Sequence, residues 1–98
     1  MRMGEPAEKN APVVVQGEID AATAPTLTAD LARAVSAGAG PVEVDLSAVT
    51  FIDSSGLRAL IVARRDAEAA GQTLRIVEAS DVVTRLLDVT GLTETLMG

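Results

Sequence analysis

The chain has 98 residues, enough for one domain, and its 48% hydrophobic content includes a single aromatic residue, Phe51, so the core must be built from Val, Leu, Ile and Ala. The formal net charge is −6 and no basic cluster is present, so attraction to a phosphate backbone cannot drive binding and direct nucleic-acid recognition is not expected. Cysteine and histidine are both absent, which removes disulfides, thiolate chemistry, and the commonest general base and metal ligand.

The chain starts with a polar, proline-containing stretch, and we predict a flexible N-terminal arm over residues 1–12 and one folded domain over residues 13–98. The first residues lack the apolar core of a signal peptide, and no apolar run approaches the roughly 20 residues that span a membrane. We therefore expect a soluble cytoplasmic protein without a membrane-inserted segment.

The first two elements are a strand and a helix. Residues 13–20 read as a short buried strand and its exit. Thr23 is a plausible N-cap of the helix that follows, with Pro25 in its first turn, where a missing N–H does no harm. Glycines from Gly38 onward end this helix.

A second strand and helix follow. Residues 42–46 alternate apolar and acidic side chains, and residues 49–52 continue the strand. The next helical pattern begins at Leu57, and Gly71 closes it.

The last third of the chain repeats this order. Residues 74–77 read as a strand, and Ser80 is a plausible N-cap of a helix that Gly91 ends. Residues 92–97 are expected to form a short terminal strand or turn. The order strand–helix repeated three times predicts an α/β fold, a small sheet of about four mainly parallel strands with helices packed on it.

Three strand-to-helix junctions are expected to meet at the carboxyl edge of this sheet, because crossovers between parallel strands are right-handed. They are residues 20–23, 53–56 and 78–81. Ligands and partners of open α/β sheets prefer this edge.

The second junction reads Asp53-Ser54-Ser55-Gly56-Leu57. A helix start carries unpaired N–H groups and partial positive charge, so hydroxyls there offer an accessible place for a phosphate group. Gly56 is expected to remove a side chain that would block a docking partner. The alternative is that both serines only cap the helix, and this interpretation fits Ser54 better than Ser55.

Enzymatic and metal-binding interpretations are weaker. The carboxylates Asp20 and Asp53 lack further ligands at suitable spacing for Mg²⁺. A serine hydrolase needs an activating base, but the chain has no histidine and its only lysine, Lys9, lies in the predicted arm. Asp20 also has a purely structural interpretation, as an acidic turn residue before a helix.

Three sequence segments together resemble those of the STAS domains, and most closely those of the small bacterial anti-sigma factor antagonists. They are Gly-Glu-Ile-Asp at residues 17–20, Val-Asp-Leu at 44–46 with Phe-Ile-Asp-Ser-Ser-Gly-Leu at 51–57, and Val-Thr-Arg-Leu-Leu at 83–87 with Thr-Gly-Leu at 90–92. The resemblance covers about residues 13 to 97. Family members usually have a further strand before the first one seen here, in the place of the predicted arm.

The resemblance implies a non-enzymatic, phosphorylatable regulator without a cofactor of its own. Its second motif serine, Ser55, would receive phosphate from a partner that is both anti-sigma factor and serine kinase. The unphosphorylated form would bind that kinase and free a sigma factor, and a PP2C-type phosphatase would restore it. Asp20, Asp53, Ser54, Gly56 and Leu57 would form the phosphosite environment and the partner-binding surface.

Two other functions remain open for a STAS domain. One is a regulatory subunit of a membrane transporter of the ABC lipid type, in which the acceptor serine is dispensable. The other is a scaffold component of a stress-signalling assembly. The presence of both motif serines favours the antagonist.

Overall fold

The computed structural model describes residues 12–38 and 40–98. Strands and helices alternate along this part of the chain before a final short helix: β1 (Val13–Ile19), α1 (Ala24–Ala37), β2 (Val42–Ile52), α2 (Ser54–Ala69), β3 (Leu74–Ala79), α3 (Asp81–Thr90) and α4 (Thr93–Met97). The predicted arm lies outside the described residues except for Pro12, so the arm and the domain boundary beside it stay predictions.

The three strands form one sheet in the order β1-β2-β3, and both pairs are parallel. This confirms the predicted α/β fold with a parallel sheet and packed helices, although the described residues form three strands where about four were expected. The expectation of a terminal strand or turn at residues 92–97 is wrong, because this segment forms α4. The Leu96 N–H donates to the carbonyl of Leu92 at 3.0 Å, which is a helical hydrogen bond, and the Leu96 side chain is fully buried in the core.

The hydrophobic core is aliphatic, as the composition predicts. The only aromatic side chain, Phe51, is 48% exposed and contributes little to it. Nine large aliphatic side chains are almost completely buried, and every described strand and helix contributes at least one of them: Ile19, Leu31, Val44, Leu46, Leu60, Ile76, Val83, Leu87 and Leu96. Burial of this kind is the dominant favourable term in folding.

Strand β2 changes its pattern of burial halfway along. Every second side chain is buried from Val42 to Leu46, but the next buried ones are Val49 and Ile52, three residues apart. The pairing with β1 explains this change, because β2 contains one extra residue relative to β1 at two places: between Asp45 and Ala48, and between Val49 and Phe51. Each β-bulge inserts one residue and so returns the same face of the strand to the core.

The first bulge is held by a side chain of β2 itself. The Asp45 carboxylate accepts hydrogen bonds from the Ser47 N–H at 2.9 Å and from the Ser47 hydroxyl at 2.6 Å. These bonds favour the charged carboxylate and hold the pKa of Asp45 below its usual range. Asp45 is therefore structural, although it was part of the family-like Val-Asp-Leu segment.

Two of the three strand-to-helix junctions lie side by side, and the third does not. Ile19 pairs with Ile52, and the Asp53 N–H donates to the Ile19 carbonyl at 3.2 Å, so β1 and β2 end together. Strand β3 ends earlier, with Ala79 opposite Leu46. Because β2 continues past the end of β3, residues 78–80 do not reach the other two junctions, and the expected meeting holds only for Asp81, which lines a cavity together with Ile52.

Candidate functional site

Helix α2 is capped by a carboxylate and not by a serine. Asp53 has extended backbone angles, and its Oδ1 accepts a hydrogen bond from the Ser55 N–H at 2.9 Å. This is the usual N-cap geometry, which satisfies one of the unpaired N–H groups of the first turn. The helix consequently begins at Ser54, three residues before the predicted start, and the capping interpretation of Ser54 is wrong.

Both motif serines lie in the first turn and face an open hollow of about 380 Å³. Ser54 is exposed and Ser55 is half-buried. The hollow is otherwise lined by Leu57, Arg58 and Ile61. Since Asp53 engages the backbone of Ser55 and no described residue forms a hydrogen bond with either serine hydroxyl, both hydroxyls are left for other contacts.

Gly56 faces the interior and not the docking side. An added Cβ would lie 2.5 Å from Ile19 Cγ2 and 2.9 Å from Ile52 Cγ1, closer than real contacts allow. Glycine therefore lets the first turn of α2 rest directly on the ends of β1 and β2. The expectation that Gly56 opens a path for a partner is wrong; its effect is on packing.

Leu57 is likewise mainly a core residue, with 8% of its surface exposed at the floor of the hollow. Of the residues expected to form the partner surface, Gly56 and Leu57 are buried, whereas the others are exposed or half-buried: Ser54 is exposed, and Asp20, Asp53 and Ser55 are half-buried. Arg58 was missed: it is exposed and lines the same hollow. Its spacing from Ser54 and Ser55, four and three residues, was the available signal, because such pairs are neighbours on a helix.

Asp20 lies at the end of β1, beside the end of β2, but its carboxylate serves its own turn. Its Oδ1 accepts hydrogen bonds from the N–H groups of Ala22 at 2.9 Å and Thr23 at 3.1 Å. The Thr23 hydroxyl donates to the Glu18 carbonyl at 2.9 Å. No hydrogen bond joins Asp20 to α2 among the described residues, which supports its structural interpretation.

Within residues 12–38 and 40–98, no three side chains of the metal-ligating types come together as a metal site. None of the helices described here is long and apolar enough to cross a membrane. The arrangement at the start of α2 offers two accessible hydroxyls on a helix N-terminus, with one carboxylate before them and one guanidinium after them. Such a place can accept a phosphoryl group, since the helix terminus favours negative charge.

The sequence and the fold were compared with those of known proteins. The family model described as "Mlab, STAS domain" matches residues 3–98. An anti-sigma-B factor antagonist of Staphylococcus epidermidis is 34% identical over 80 residues, covering 82% of this chain and 74% of the relative. The anti-sigma-B factor antagonist of Bacillus subtilis is 32% identical over 85 residues, covering 87% and 77%.

A solved structure agrees with these matches. The crystal structure of an anti-sigma factor antagonist from Mycobacterium paratuberculosis superposes with a TM-score of 0.75 at 31% identity, covering 85% of this chain and 70% of that one. The sequence motifs, the parallel three-stranded sheet and the Asp-Ser-Ser-Gly helix start therefore lead to one conclusion. The chain belongs to the STAS-domain family of anti-sigma factor antagonists, which are regulatory proteins and not enzymes.

Proposed function

We propose that this protein is a phosphorylatable antagonist of an anti-sigma serine kinase. In its unphosphorylated form it binds the kinase through the surface around Ser55 and so releases a sigma factor for transcription. Phosphorylation of Ser55 ends this binding, and a phosphatase of the PP2C type restores it. The protein acts in the cytoplasm by protein–protein contact and has no direct role in nucleic-acid binding.

One observation supports this proposal most strongly: Ser55 lies in the first turn of a long helix, it lines an open hollow, and its backbone N–H is bound by Asp53. A kinase needs an acceptor hydroxyl that it can reach. The Ser55 hydroxyl makes no hydrogen bond with any described residue, the side chain lines the open hollow, and Ser54 beside it is exposed.

The charge that a phosphate brings is large enough for a switch. It adds −1.5 to −2 charges at pH 7. The helix terminus offsets this by roughly 0.3–1 kcal/mol, while Asp53 acts against it as a nearby like charge, so we expect the fold to survive. A partner that covers the dianion without neutralising it loses several kcal/mol to desolvation. Because each 1.4 kcal/mol is a tenfold change in affinity, one phosphate can abolish the complex without a change of shape.

The division of roles between the partners follows from what the chain contains. The described residues offer no metal cluster that could bind the Mg²⁺ of a phosphoryl transfer. In the proposal the kinase supplies ATP and Mg²⁺, and this chain supplies only the acceptor hydroxyl. Gly56 and Leu57 hold the acceptor turn on the sheet, while Asp53 orients the Ser55 backbone.

The deciding experiment mixes the protein with ATP and each kinase-like anti-sigma factor of its source organism, and then measures intact mass. We expect the wild type to gain one phosphoryl group and Ser55→Ala to gain none. Ser54→Ala is the matched control, since it removes the neighbouring exposed hydroxyl, and it should still be modified. Wild-type protein that stays unmodified with every such partner would contradict the proposal.

A second candidate is a STAS subunit of a membrane transporter. It is retained because the family model that matches residues 3–98 carries the description "Mlab, STAS domain", which does not itself specify an antagonist. In that role Ser55 would be dispensable, and the protein would co-purify with an ABC ATPase. Co-purification together with an unmodified Ser55 would favour this function over the first.

A further inference from the structure

Arg58, like Arg65 and Arg85, has no ionic partner among the described residues, and unlike them it lines the hollow with Ser54 and Ser55. Arg33 forms an ion pair with Asp30, and Arg64 forms one with Glu68 at 3.0 Å. Arg58 makes no ion pair or hydrogen bond with any residue that the structure describes, although the protein carries a net charge of −6. It is exposed at the hollow that Ser54 and Ser55 also line.

The position of Arg58 on the helix brings it within reach of Ser55. The two residues are three apart on α2, and such pairs have their Cβ atoms about 5–6 Å apart. The arginine side chain is long, and its planar guanidinium presents parallel N–H donors that match the oxygens of a phosphate. A phosphate on Ser55 would be a dianion at the same hollow.

We propose that Arg58 is the internal counter-ion of a phosphate on Ser55, a positioning residue that forms an ion pair with the modified serine. Its biological use rests on the proposed function, since it requires that Ser55 is phosphorylated. In the unmodified protein the guanidinium faces solvent at the docking surface and is available to a carboxylate of the partner. Phosphorylation then has two effects on this surface. It adds a dianion, and it engages Arg58, which is then no longer available to the partner.

The carboxylates near Ser55 do not replace this interaction. Asp53 precedes the serine on the same helix start, and Asp20 lies at the end of the adjacent strand β1. Both would repel a phosphate and favour its monoanionic form. Arg58 is the one cation among the residues that line the described hollow, so its removal isolates its own effect.

The test installs phosphoserine at position 55 by genetic encoding, so that no kinase is needed, and follows the second ionisation of the phosphate by ³¹P NMR across pH. A phosphoserine ordinarily has this pKa near 6. Because a nearby cation favours the dianion, Arg58→Ala should raise the phosphate pKa by about 0.2–0.7 pH unit, the range expected for an exposed pair. Arg58→Lys, which keeps the charge, should restore at least part of the difference.

Arg65→Ala is the matched control, since Arg65 is an exposed arginine on the same helix but lies outside the hollow. It should leave the phosphate pKa unchanged, and added salt should reduce the effect of Arg58→Ala on that pKa.

As a second readout, the NMR resonance of the Arg58 Nε should shift when phosphoserine replaces serine at position 55. Circular dichroism of each variant verifies the fold, and Arg58→Gln provides a substitute that keeps most of the side-chain stem.

Equal phosphate pKa values in the wild type, Arg58→Ala and Arg58→Gln would overturn the inference. An equal change in Arg65→Ala would also overturn it, because the effect would then reflect net charge and not a local pair. Failure of every kinase to modify Ser55 would instead contradict the proposed function and leave this measurement intact.

Discussion

Strands β1 and β2 each end in an isoleucine that is followed directly by an aspartate, and the structure places the two ends side by side, with Ile19 opposite Ile52. The next three residues differ: they are Ala-Ala-Thr after β1 and Ser-Ser-Gly after β2. In both junctions the aspartate accepts the N–H of the residue two positions later, at 2.9 Å in each case. The two junctions thus share one hydrogen bond, but α2 begins directly after Asp53 whereas α1 begins only at Ala24, after a turn, and they also differ in where they carry hydroxyls.

The third residue after the aspartate determines that difference. At the first junction it is Thr23, whose hydroxyl is already hydrogen-bonded within the turn, because it donates to the Glu18 carbonyl. At the second junction it is Gly56, which lets α2 rest on Ile19 and Ile52. Because a carboxylate and a missing side chain stabilise the second junction, its hydroxyls are not needed for the fold. Ser55 is therefore available for chemistry in a way that Thr23 is not.

The largest effect is expected from a charge placed at one junction and not at the other. Ser55→Asp should lower affinity for the anti-sigma partner by about 100-fold or more, which corresponds to ~2.8 kcal/mol. Ala22→Asp places the same charge at the equivalent position after β1, and it should change affinity by less than about threefold. Isothermal titration calorimetry measures both. Equal losses would show that the two junctions do not differ in partner contact.

Gly56→Ala tests the packing side of the comparison. The added methyl group would lie 2.5 Å from Ile19 Cγ2, so we expect a loss of about 1–3 kcal/mol in the free energy of unfolding. Alanine favours a helix over glycine by up to about 1 kcal/mol, which offsets part of this loss. Urea unfolding measures the change, with exposed Ser54→Ala as the control. A variant as stable as the wild type would mean that the turn does not need this close approach.

Patterns local in the sequence were enough to predict β1 to β3, α1 to α3 and the parallel order of the strands, but not the short helix α4. The alternation at residues 42–46 and the glycine after α3 each act within a few residues of themselves. The bulges of β2 were not predictable in this way, because a bulge is defined by the register with β1. The same holds for the early end of β3, which depends on which residue of β2 it faces.

The candidate site divides in the same manner. Its motif is continuous, so Ser55 could be singled out from the sequence. The function of Gly56 could not, because it depends on Ile19, far away in the sequence. Nor could the choice of Asp53 over Ser54 as the cap, since both residue types are good N-caps and only the backbone angles at Asp53 decide between them.

Asp53 combines a structural and a proposed positioning role, which two substitutions can separate. Asp53→Asn keeps an oxygen that can accept the Ser55 N–H, so the fold should be retained while phosphorylation slows by about tenfold. Asp53→Ala also removes the cap and should lower stability by about 1 kcal/mol. Asp20→Asn is the control at the other junction and should leave the rate unchanged. Rates come from time-resolved intact mass, and an unaltered rate in Asp53→Asn would contradict the positioning role.

The smallest effect concerns the first bulge of β2, between Asp45 and Ala48, which contributes to the register that places Ile52 opposite Ile19. Because the Ser47 hydroxyl and N–H hold the pKa of Asp45 below its usual range, the carboxylate stabilises the fold above the ordinary pKa of an aspartate, near 4, and this contribution is lost as pH falls further. Asp45→Asn removes the titrating group, so the decline in unfolding free energy between about pH 5 and pH 3 should become shallower. Ser47→Ala removes the hydroxyl bond but keeps the N–H bond, and its pH dependence should fall between those of Asp45→Asn and the wild type. Urea unfolding at a series of pH values measures all three; identical slopes would show that the bulge is held by strand pairing alone.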